Sequence, residues 1–488
     1  MPALAGVWAA TQRPPAVVNQ WIQPANDPWP RYAIAVSPID ETMHYFLVVS
    51  AAPDGTLRAF IRNPEANVGV FLGTRTLVAE GAALRLHAAG KPDVVGSYTT
   101  DSVTLDLPGA KGTVFHRPGT AELRWFSPRP DATWAYRKPL AGTDGWPVAT
   151  LAQVGMRVQP IAAEMQSIVS LRSPELTSPY VQSVAMVRHG RLVLDEYFYG
   201  FDAGRPHDVR SAGKSVTTLL VGRAIADTAR FAPQTAVLSF LPQYAPFAND
   251  DARKRRMTVE NLMTMSSGLA CDDNDDTSPG NEDAMQNQTA QPDWYKYTLD
   301  LPIQYEPGTR AVYCSAGINL LGAIVARATG VPLEQYFYEH FAAPMQFAQY
   351  GMWLMPPPTN AAYMGGGDYF RPRDFLKFGQ LFLSHGIWNG RRIIADDWLR
   401  ASTVQRTIMN EDAYGEGDRY GYGWHLGTLL VAGKRYSFID AGGNGGQLLV
   451  ILPQLDMLVM VTAGNYNQYR VWKDFLTEFA GAAIRSAV

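Results

Sequence analysis

A serine and a lysine three positions apart are the strongest chemical signal in this 488-residue sequence. Ser211 and Lys214 stand directly before an apolar run, residues 216–225, that has the periodicity of a helix. Because residues three apart share one face of a helix, the sequence predicts that the two side chains meet. The free N–H groups at the start of this helix favour negative charge developing on Ser211. Partial burial and nearby positive charge would lower the pKa of Lys214 and make it a base for this nucleophile.

The same spacing also occurs where a helix begins with a capping serine and carries an exposed lysine, so the catalytic interpretation depends on further motifs. Tyr313-Cys314-Ser315 is the first of these, between a Pro-Gly turn and a second predicted helix. A phenol beside an ammonium group loses its proton more readily, so Tyr313 can relay a proton between the serine, the lysine and a leaving group. Cys314 is a weaker candidate nucleophile, because no histidine lies near it in the sequence.

The glycine-rich stretch 441–447 is the third motif, and it leads into a predicted strand at 448–452. Glycines such as Gly443 and Gly445 allow a substrate to approach the backbone closely. We expect the N–H of Asn444 to join the N–H of Ser211 as an oxyanion hole. The alternative is a glycine-rich bulge without a chemical role.

In this order, the three motifs resemble those of the serine β-lactamase-like superfamily, which comprises class C β-lactamases, penicillin-binding proteins and related esterases. The stretches 258–269, 365–379 and 420–424 also resemble segments of these proteins, so the resemblance covers roughly residues 155–488. The spacing of the motifs is most similar to the branch of 6-aminohexanoate-dimer hydrolases, the nylon-oligomer hydrolases.

The resemblance implies hydrolysis of amides and esters through an acyl-serine intermediate. It implies that Ser211 is the nucleophile, Lys214 the base or proton shuttle, and Tyr313 the acid/base partner. It also implies that the N–H groups of Ser211 and Asn444 are the oxyanion donors. No metal ion or organic cofactor is implied.

The third motif departs from the pattern of the superfamily. Ala441-Gly442-Gly443 stands where many relatives carry Lys-Thr-Gly, so a substrate carboxylate loses its usual cationic partner. This favours a hydrolase of carboxylic esters or small amides. A β-lactamase or D-amino-acid peptidase remains an alternative, and so does a non-catalytic protein that keeps the acyl-serine pocket as a sensor.

The elements that must position these motifs fall into two regions. Residues 1–150 carry short alternating runs between turn residues, which predicts a β-barrel or β-sandwich, with a lipocalin-like barrel as one form of it. Strands are expected at 44–50, 57–61, 68–72, 102–107 and 112–116, and a Pro/Gly-rich linker at 127–150.

In residues 151–488 the sequence predicts strands first, then many helices, then further strands and a closing helix. This order predicts an antiparallel sheet flanked by helices. The resemblance makes it a β-lactamase/transpeptidase-like domain with a helical subdomain.

Composition, net charge and cysteine count exclude several classes of protein. With 47% apolar and 18% charged residues the chain is not generally disordered. A net charge of −3 provides no electrostatic attraction to nucleic acid or anionic membranes, and no apolar run approaches the roughly 18 residues of a membrane helix. Two cysteines exclude a disulfide scaffold and a four-cysteine zinc site.

The acidic stretch 272–276 has the alternating oxygen donors of a calcium loop. Thr277 stands where an EF-hand needs glycine, so we interpret the stretch as a solvated or cation-preferring rim of the site.

The predicted partner is a small-molecule ester or amide. The start of the chain, 1–6, lacks a basic segment followed by an apolar one. The protein is then either cytoplasmic or a mature exported protein, and we slightly favour a periplasmic or secreted location. The sequence leaves the oligomeric state open, a dimer included.

Overall fold

The N-terminal region of the computed structural model is a closed barrel of eight antiparallel strands. The structure describes residues 4–12, 42–108, 110–129, 133–171, 175–287, 292–410 and 417–488. The barrel closes where β1 pairs with β8 as well as with β2. Its strands are β1 (Gly6–Gln12), β2 (Met43–Ala51), β3 (Leu57–Arg62), β4 (Arg75–Glu80), β5 (Ala83–His87), β6 (Val94–Tyr98), β7 (Ser102–Leu107) and β8 (Ala110–His116).

Alternation along the strands fills the barrel. Leu84 and Leu86 of β5 point inward, as do Val103 and Leu105 of β7, so each strand contributes every second side chain to the core. Trp8 is fully buried among them. The barrel predicted from the short alternating runs is therefore confirmed.

The strand predicted at 68–72 is wrong. Residues Gly69–Leu72 form a helical turn, α1, that buries Leu72. Asn67 has a φ of +52°, which turns the chain out of the extended conformation just before it. The backbone at Gly69 also presses on β3, since a Cβ there would lie 1.8 Å from the carbonyl oxygen of Ile61.

The second region contains an eight-stranded sheet in the order β10-β9-β21-β20-β19-β18-β17-β16, with every pair antiparallel. Strands from both ends of the region meet in its centre, where β9 lies beside β21. The strands are β9 (Val181–Arg188), β10 (Arg191–Tyr197), β16 (Thr407–Asn410), β17 (Asp418–Tyr420), β18 (His425–Val431), β19 (Lys434–Gly443), β20 (Gln447–Leu452) and β21 (Met457–Ala463).

The remaining strands of the described residues form two small antiparallel sheets. Two short sheets are formed by β11 (His207–Asp208), β13 (Asp368–Phe370) and β12 (Tyr350–Met352), and by β14 (Ile387–Trp388) and β15 (Arg391–Arg392).

Both faces of the large sheet are covered. Val184 and Met186 of β9 pack with Ile161 on one side, whereas Ala185 and Val187 pack on the other side with the helix that follows Ser211. A strand buried on both faces must be apolar at every position, which explains the continuous apolar runs of β9, β20 and β21. This is the sheet between helices that the order of elements predicted.

The helices lie on both sides of this sheet and in a helical layer over Ser211. Among the described residues, no single helix has the length and apolar character needed to cross a membrane. Ser315–Thr329 and Leu333–Ala342 meet those criteria only when joined across an 82° bend. The helices are α2 (Thr120–Phe126), α3 (Val158–Val169), α4 (Gly213–Thr228), α5 (Val259–Met263), α6 (Glu282–Asn287), α7 (Trp294–Asp300), α8 (Ser315–Thr329), α9 (Leu333–Phe337), α10 (Pro372–Leu383), α11 (Asp396–Ser402), α12 (Tyr469–Trp472) and α13 (Gly481–Ala487).

The barrel is attached to the second region through buried polar contacts. The side-chain amide of Asn67 donates to the carbonyl of Tyr466 at 2.9 Å and to Oε1 of Gln468 at 3.0 Å. Gln182 donates to the carbonyl of Pro64 at 2.7 Å. These bonds join the segment after β3 to the segment that follows β21 and to the start of β9.

We predict that Asn67→Ala lowers the free energy of unfolding by about 1–3 kcal/mol, because the carbonyl of Tyr466 is left buried without its donor. Asn360→Ala is the matched control: Asn360 has a similar φ of +47° but is exposed, so both changes place alanine in the left-handed region. Urea denaturation measures the difference. Equal losses in the two variants would contradict this account of the interface.

Candidate active site

Ser211 stands on a tight turn at the entrance to α4. The turn Arg210–Ala212 is a 3-10 turn, and Arg210 adopts a φ of +50°, a conformation that non-glycine residues rarely occupy. Asp208 holds this turn, since its Oδ1 accepts the N–H of Arg210 at 2.9 Å and its other oxygen pairs with the guanidinium group at 2.8 Å. Ser211 is thereby fixed beside the end of β19, an interior strand of the large sheet.

Lys214 lies one helical turn further on, and its ammonium group is buried. Its Nζ donates to Oγ of Ser211 at 2.8 Å and to the carbonyl of Gly365 at 2.5 Å, and it lies 4.9 Å from the ring centre of Tyr313. The structure therefore brings together the three side chains that the sequence predicted. The contact with Gly365 was not predicted, although this glycine lies in one of the segments that resemble the superfamily.

The protonation of Lys214 differs from the sequence-based expectation. Burial acts to lower the pKa of Lys214, but the neighbouring Tyr313, Glu282 and Asp273 act in the opposite direction, and the pKa is raised above its ordinary value. The expectation of a lowered pKa assumed nearby positive charge. The tertiary structure instead places acidic groups around this ammonium group, which favours the protonated form of Lys214.

Tyr313 is held by the acidic loop. The N–H of Asp273 donates to the carbonyl of Tyr313 at 2.9 Å, and Oδ2 of Asp273 accepts the N–H of Ser315 at 2.7 Å. Burial raises the pKa of Asp273 to about 6, against the opposing influence of Lys214. The loop predicted to be a solvated rim therefore also caps α8 and positions the tyrosine.

A disulfide bond between Cys271 and Cys314 joins the same two segments. The sequence does not predict this bond, because two cysteines 43 positions apart do not reveal whether the fold brings them together. Cys314 is bonded and buried, which excludes it as a nucleophile in this state.

The third motif forms the end of β19 and the turn into β20. Gly443 packs directly against the turn that carries Ser211: a Cβ at this position would lie 2.3 Å from the carbonyl oxygen of Val209 and 3.2 Å from the nitrogen of Ala212. Asn444 follows, and its side chain bonds to Asn467 at 2.8 Å. Glycine at 443 is thus required by close approach of two backbones.

A cavity of about 330 Å³ joins these motifs. Ser211 and Tyr313 line it together with Asn444, and Asn274 of the acidic loop lies at its border. A larger cavity of about 780 Å³ beside the linker is lined by none of Ser211, Lys214 and Tyr313, so we place the site in the smaller one. The remaining lining residues of the site are His425, Asp440, Gly442, Gly443, Gly446, Gln447, Leu448, Tyr469, Trp472, Lys473, Phe475 and Leu476.

His425 and Asp440 form a charged wall of this cavity that the sequence analysis missed. They are directly opposed on β18 and β19. Nδ1 of His425 lies 2.8 Å from Oδ1 of Asp418, and although burial acts against it, this carboxylate raises the pKa of His425 to about 8. Burial raises the pKa of Asp440 to about 6. Their separation in the sequence carries no motif, so only the strand register reveals them.

The chain belongs to the Beta-lactamase family, whose sequence profile matches residues 176–474. The match includes the stretches that hold Ser211, Lys214, Tyr313 and the glycine-rich turn, and it leaves the barrel outside. The protein is therefore a hydrolase of the Beta-lactamase family with an additional N-terminal barrel.

Particular relatives are distant. The 6-aminohexanoate-dimer hydrolase of Paenarthrobacter ureafaciens is 23% identical over 361 residues, which cover 70% of this chain and 88% of the relative. A mutant of simvastatin synthase from Aspergillus terreus superposes with a TM-score of 0.53 at 18% identity, covering 68% of this chain and 98% of that one. EstCE1, a hydrolase with promiscuous acyltransferase activity, superposes with a TM-score of 0.50 at 16% identity, covering 67% of this chain and 98% of the other. The two structural similarities establish the shared fold.

We predict that reducing the disulfide lowers both the melting temperature and the turnover of any substrate, because the bond closes a long loop and anchors Tyr313. The chain-entropy relation gives up to about 4 kcal/mol for a loop of this length. The sequence contains only these two cysteines, so the effect of a reductant is attributable to this bond.

The control is Cys271→Ser combined with Cys314→Ser, whose melting curve is expected to be insensitive to reductant and to match that of the reduced wild type. A wild type that keeps its melting temperature after both thiols have been titrated as free would refute the prediction.

Proposed function

We propose that this protein hydrolyses carboxylic esters or small amides through an acyl intermediate on Ser211. The observation that carries the proposal is the contact of Lys214 with Ser211 at 2.8 Å, beside Tyr313 and at the edge of a cavity of substrate size. A nucleophile, a buried cation and an acid/base group converge on one point, as an acyl-transfer site requires.

The raised pKa of Lys214 assigns the roles of the two partners in this proposal. An ammonium group donates hydrogen bonds but accepts no proton, so Tyr313 in its phenolate form takes the proton of Ser211 while the oxygen attacks the substrate carbonyl. The proton then passes to the departing alcohol or amine. In deacylation Tyr313 takes a proton from water, the hydroxide oxygen attacks the acyl carbon, and the proton returns to Ser211. Lys214 stabilises the negative charge of Tyr313 before it takes up each proton and after it has passed that proton on.

The oxyanion is assigned to the N–H groups of Ser211 and Asn444. The close packing of Gly443 on the turn at Val209 brings the end of β19 beside the start of α4. Two backbone donors at fixed positions stabilise the charge that develops on the substrate oxygen without reorganising.

The substrate class follows from the composition of the third motif and from the relatives. Ala441-Gly442-Gly443 offers no cation to a substrate carboxylate, which favours esters and small amides over β-lactams. The similarity to a 6-aminohexanoate-dimer hydrolase, whose name specifies an amide substrate, supports the inclusion of amides.

We predict that Ser211→Ala abolishes release of p-nitrophenol from p-nitrophenyl butyrate. Lys214→Met and Tyr313→Phe are expected to lower kcat by about 10²–10⁴-fold, since each removes a group that moves or stabilises the transferred proton. Ser239→Ala, at an exposed serine outside the cavity, is the control and should keep wild-type activity. If Ser211→Ala kept a turnover close to that of the wild type, Ser211 could not be the nucleophile.

If the wild type were stably acylated on Ser211 by the ester but showed no turnover, the protein would be the non-catalytic acyl-binding sensor. A burst followed by sustained turnover of a chromogenic cephalosporin would favour the β-lactamase.

We also predict that Gly443→Ala lowers kcat by about 10²-fold or more, because the added Cβ displaces the turn at Val209 and misaligns the oxyanion donors. The neighbouring Gly442→Ala is expected to cause a much smaller loss, since the nearest atom to its added Cβ is a carboxylate oxygen at 3.4 Å. Steady-state kinetics on the same ester measure both. Equal losses would show that the packing of Gly443 on the turn has no special role.

A further inference from the structure

The carbonyl of Gly365, which accepts a hydrogen bond from Lys214, belongs to a run of three glycines at 365–367. Glycine has more backbone freedom than any other residue, so the surroundings of the run have to hold this carbonyl in place. The distance from the carbonyl oxygen to Nζ of Lys214 is 2.5 Å. The position of the ammonium group beside Ser211 therefore depends on what restrains Gly365.

The side chain of Tyr363 provides that restraint. Tyr363 is 1% exposed, and its ring packs edge-on against Trp294 and Trp353, with ring centres 5.3 and 5.7 Å away. The phenol folds back over the glycine run, since a Cβ on Gly365 would lie only 2.2 Å from the hydroxyl oxygen. A closely packed phenol fills the space beside this backbone and limits its movement.

Glu282, at the start of α6, fixes the phenol in turn. The hydroxyl of Tyr363 donates to Oε1 of Glu282 at 2.7 Å, and the side-chain amide of Gln286, one turn further on, donates to the same oxygen at 3.1 Å. A carboxylate acceptor makes this hydrogen bond stronger than one between neutral groups. Because Tyr363 is buried, loss of the acceptor would leave its hydroxyl unsatisfied.

Glu282 is also joined to the segment of Tyr313. Its backbone N–H donates to Oδ1 of Asp273 at 2.9 Å, and Oδ2 of that carboxylate accepts the N–H of Ser315 at 2.7 Å. The N–H of Asp273 donates to the carbonyl of Tyr313 at 2.9 Å. Glu282 thus connects the segment that accepts Lys214 with the segment that carries Tyr313.

We propose that Glu282 is a positioning residue for catalysis, which acts on Lys214 through the phenol of Tyr363. The hydrogen bond between Tyr363 and Glu282 keeps the carbonyl of Gly365 in place. That carbonyl in turn keeps the ammonium group of Lys214 against Oγ of Ser211. The inference deepens the proposed function and rests on it.

The test measures kcat and KM for p-nitrophenyl butyrate at pH 7.5. Glu282→Leu removes the acceptor of the hydrogen bond, and Tyr363→Phe removes only the donor oxygen. We expect each change to lower kcat by about 10–100-fold, because a displaced ammonium group no longer meets the nucleophile in the reactive geometry. KM should change by no more than about two- to threefold, since neither side chain lines the cavity.

Two further variants separate the hydrogen bond from a general loss of structure. Glu282→Gln keeps an acceptor oxygen, and its kcat is expected to exceed that of Glu282→Leu by about fivefold or more. The double variant Glu282→Leu/Tyr363→Phe is expected to lose no more than the worse single variant, because both changes remove one and the same hydrogen bond.

Asp283→Leu is the matched control. Asp283 is the other acidic residue in the first turn of α6, but it is exposed and lies outside the cavity. This variant should keep the kinetic constants of the wild type.

The outcomes separate the two proposals. If the wild type turned over neither this ester nor its amide counterpart p-nitrobutyranilide, the proposed function would be refuted. If wild-type turnover depended on Ser211 but Glu282→Leu and Tyr363→Phe kept its kcat, the positioning role would be wrong while the hydrolase assignment stands. A loss confined to KM, additive losses in the double variant, or a Glu282→Gln variant no better than Glu282→Leu would also overturn it. If Glu282→Leu does not fold, Tyr363→Phe, which lacks a single oxygen atom, decides the question.

Discussion

The buried ammonium group of Lys214 is the constraint on which the rest of the site depends. Removing a charge from water is strongly unfavourable unless hydrogen bonds and opposite charges replace the lost solvation. Here the carbonyl of Gly365 and the hydroxyl of Ser211 accept its hydrogen bonds. Glu282 and Asp273 supply the negative potential. Residues far apart in the chain must therefore lie close to Nζ of Lys214. The packing of the sheet between the helices holds them there.

The acidic loop and the barrel both support the geometry around that cation. Asp273 fixes the backbone of Tyr313, and the disulfide of Cys314 ties the same segment to the loop. On the other side, Asn444 bonds to Asn467 and Gly445 pairs with Asn465, in the segment that the barrel contacts through Asn67. The barrel is thus connected through a short series of hydrogen bonds to the strand end that we assign to the oxyanion hole.

The charge distribution of the cavity distinguishes this protein within the pattern of its superfamily. The third motif carries glycines where a cation is common in the superfamily. Asp440 lies two residues earlier on β19, and its Oδ2 is 3.4 Å from the place of a Cβ on Gly442. Asp418 pairs with His425, and Oδ1 of Asp440 accepts no hydrogen bond from the described residues. The cavity therefore has a cation next to Ser211 and a carboxylate on its wall.

The sequence by itself determined the class of fold and the three side chains that meet at the candidate site. The spacing of Ser211 and Lys214 predicted that they meet, and the apolar periodicity predicted the barrel and the central sheet. These features depend on neighbours within a few residues, which a sequence displays directly.

Only the tertiary structure decided the environment of those residues. The raised pKa of Lys214, the disulfide, the helical turn at Gly69–Leu72 and the opposition of His425 to Asp440 all depend on contacts between distant segments. Burial and Coulomb interactions act through space, so they depend on how distant segments pack against one another. No local pattern in the sequence encodes that packing.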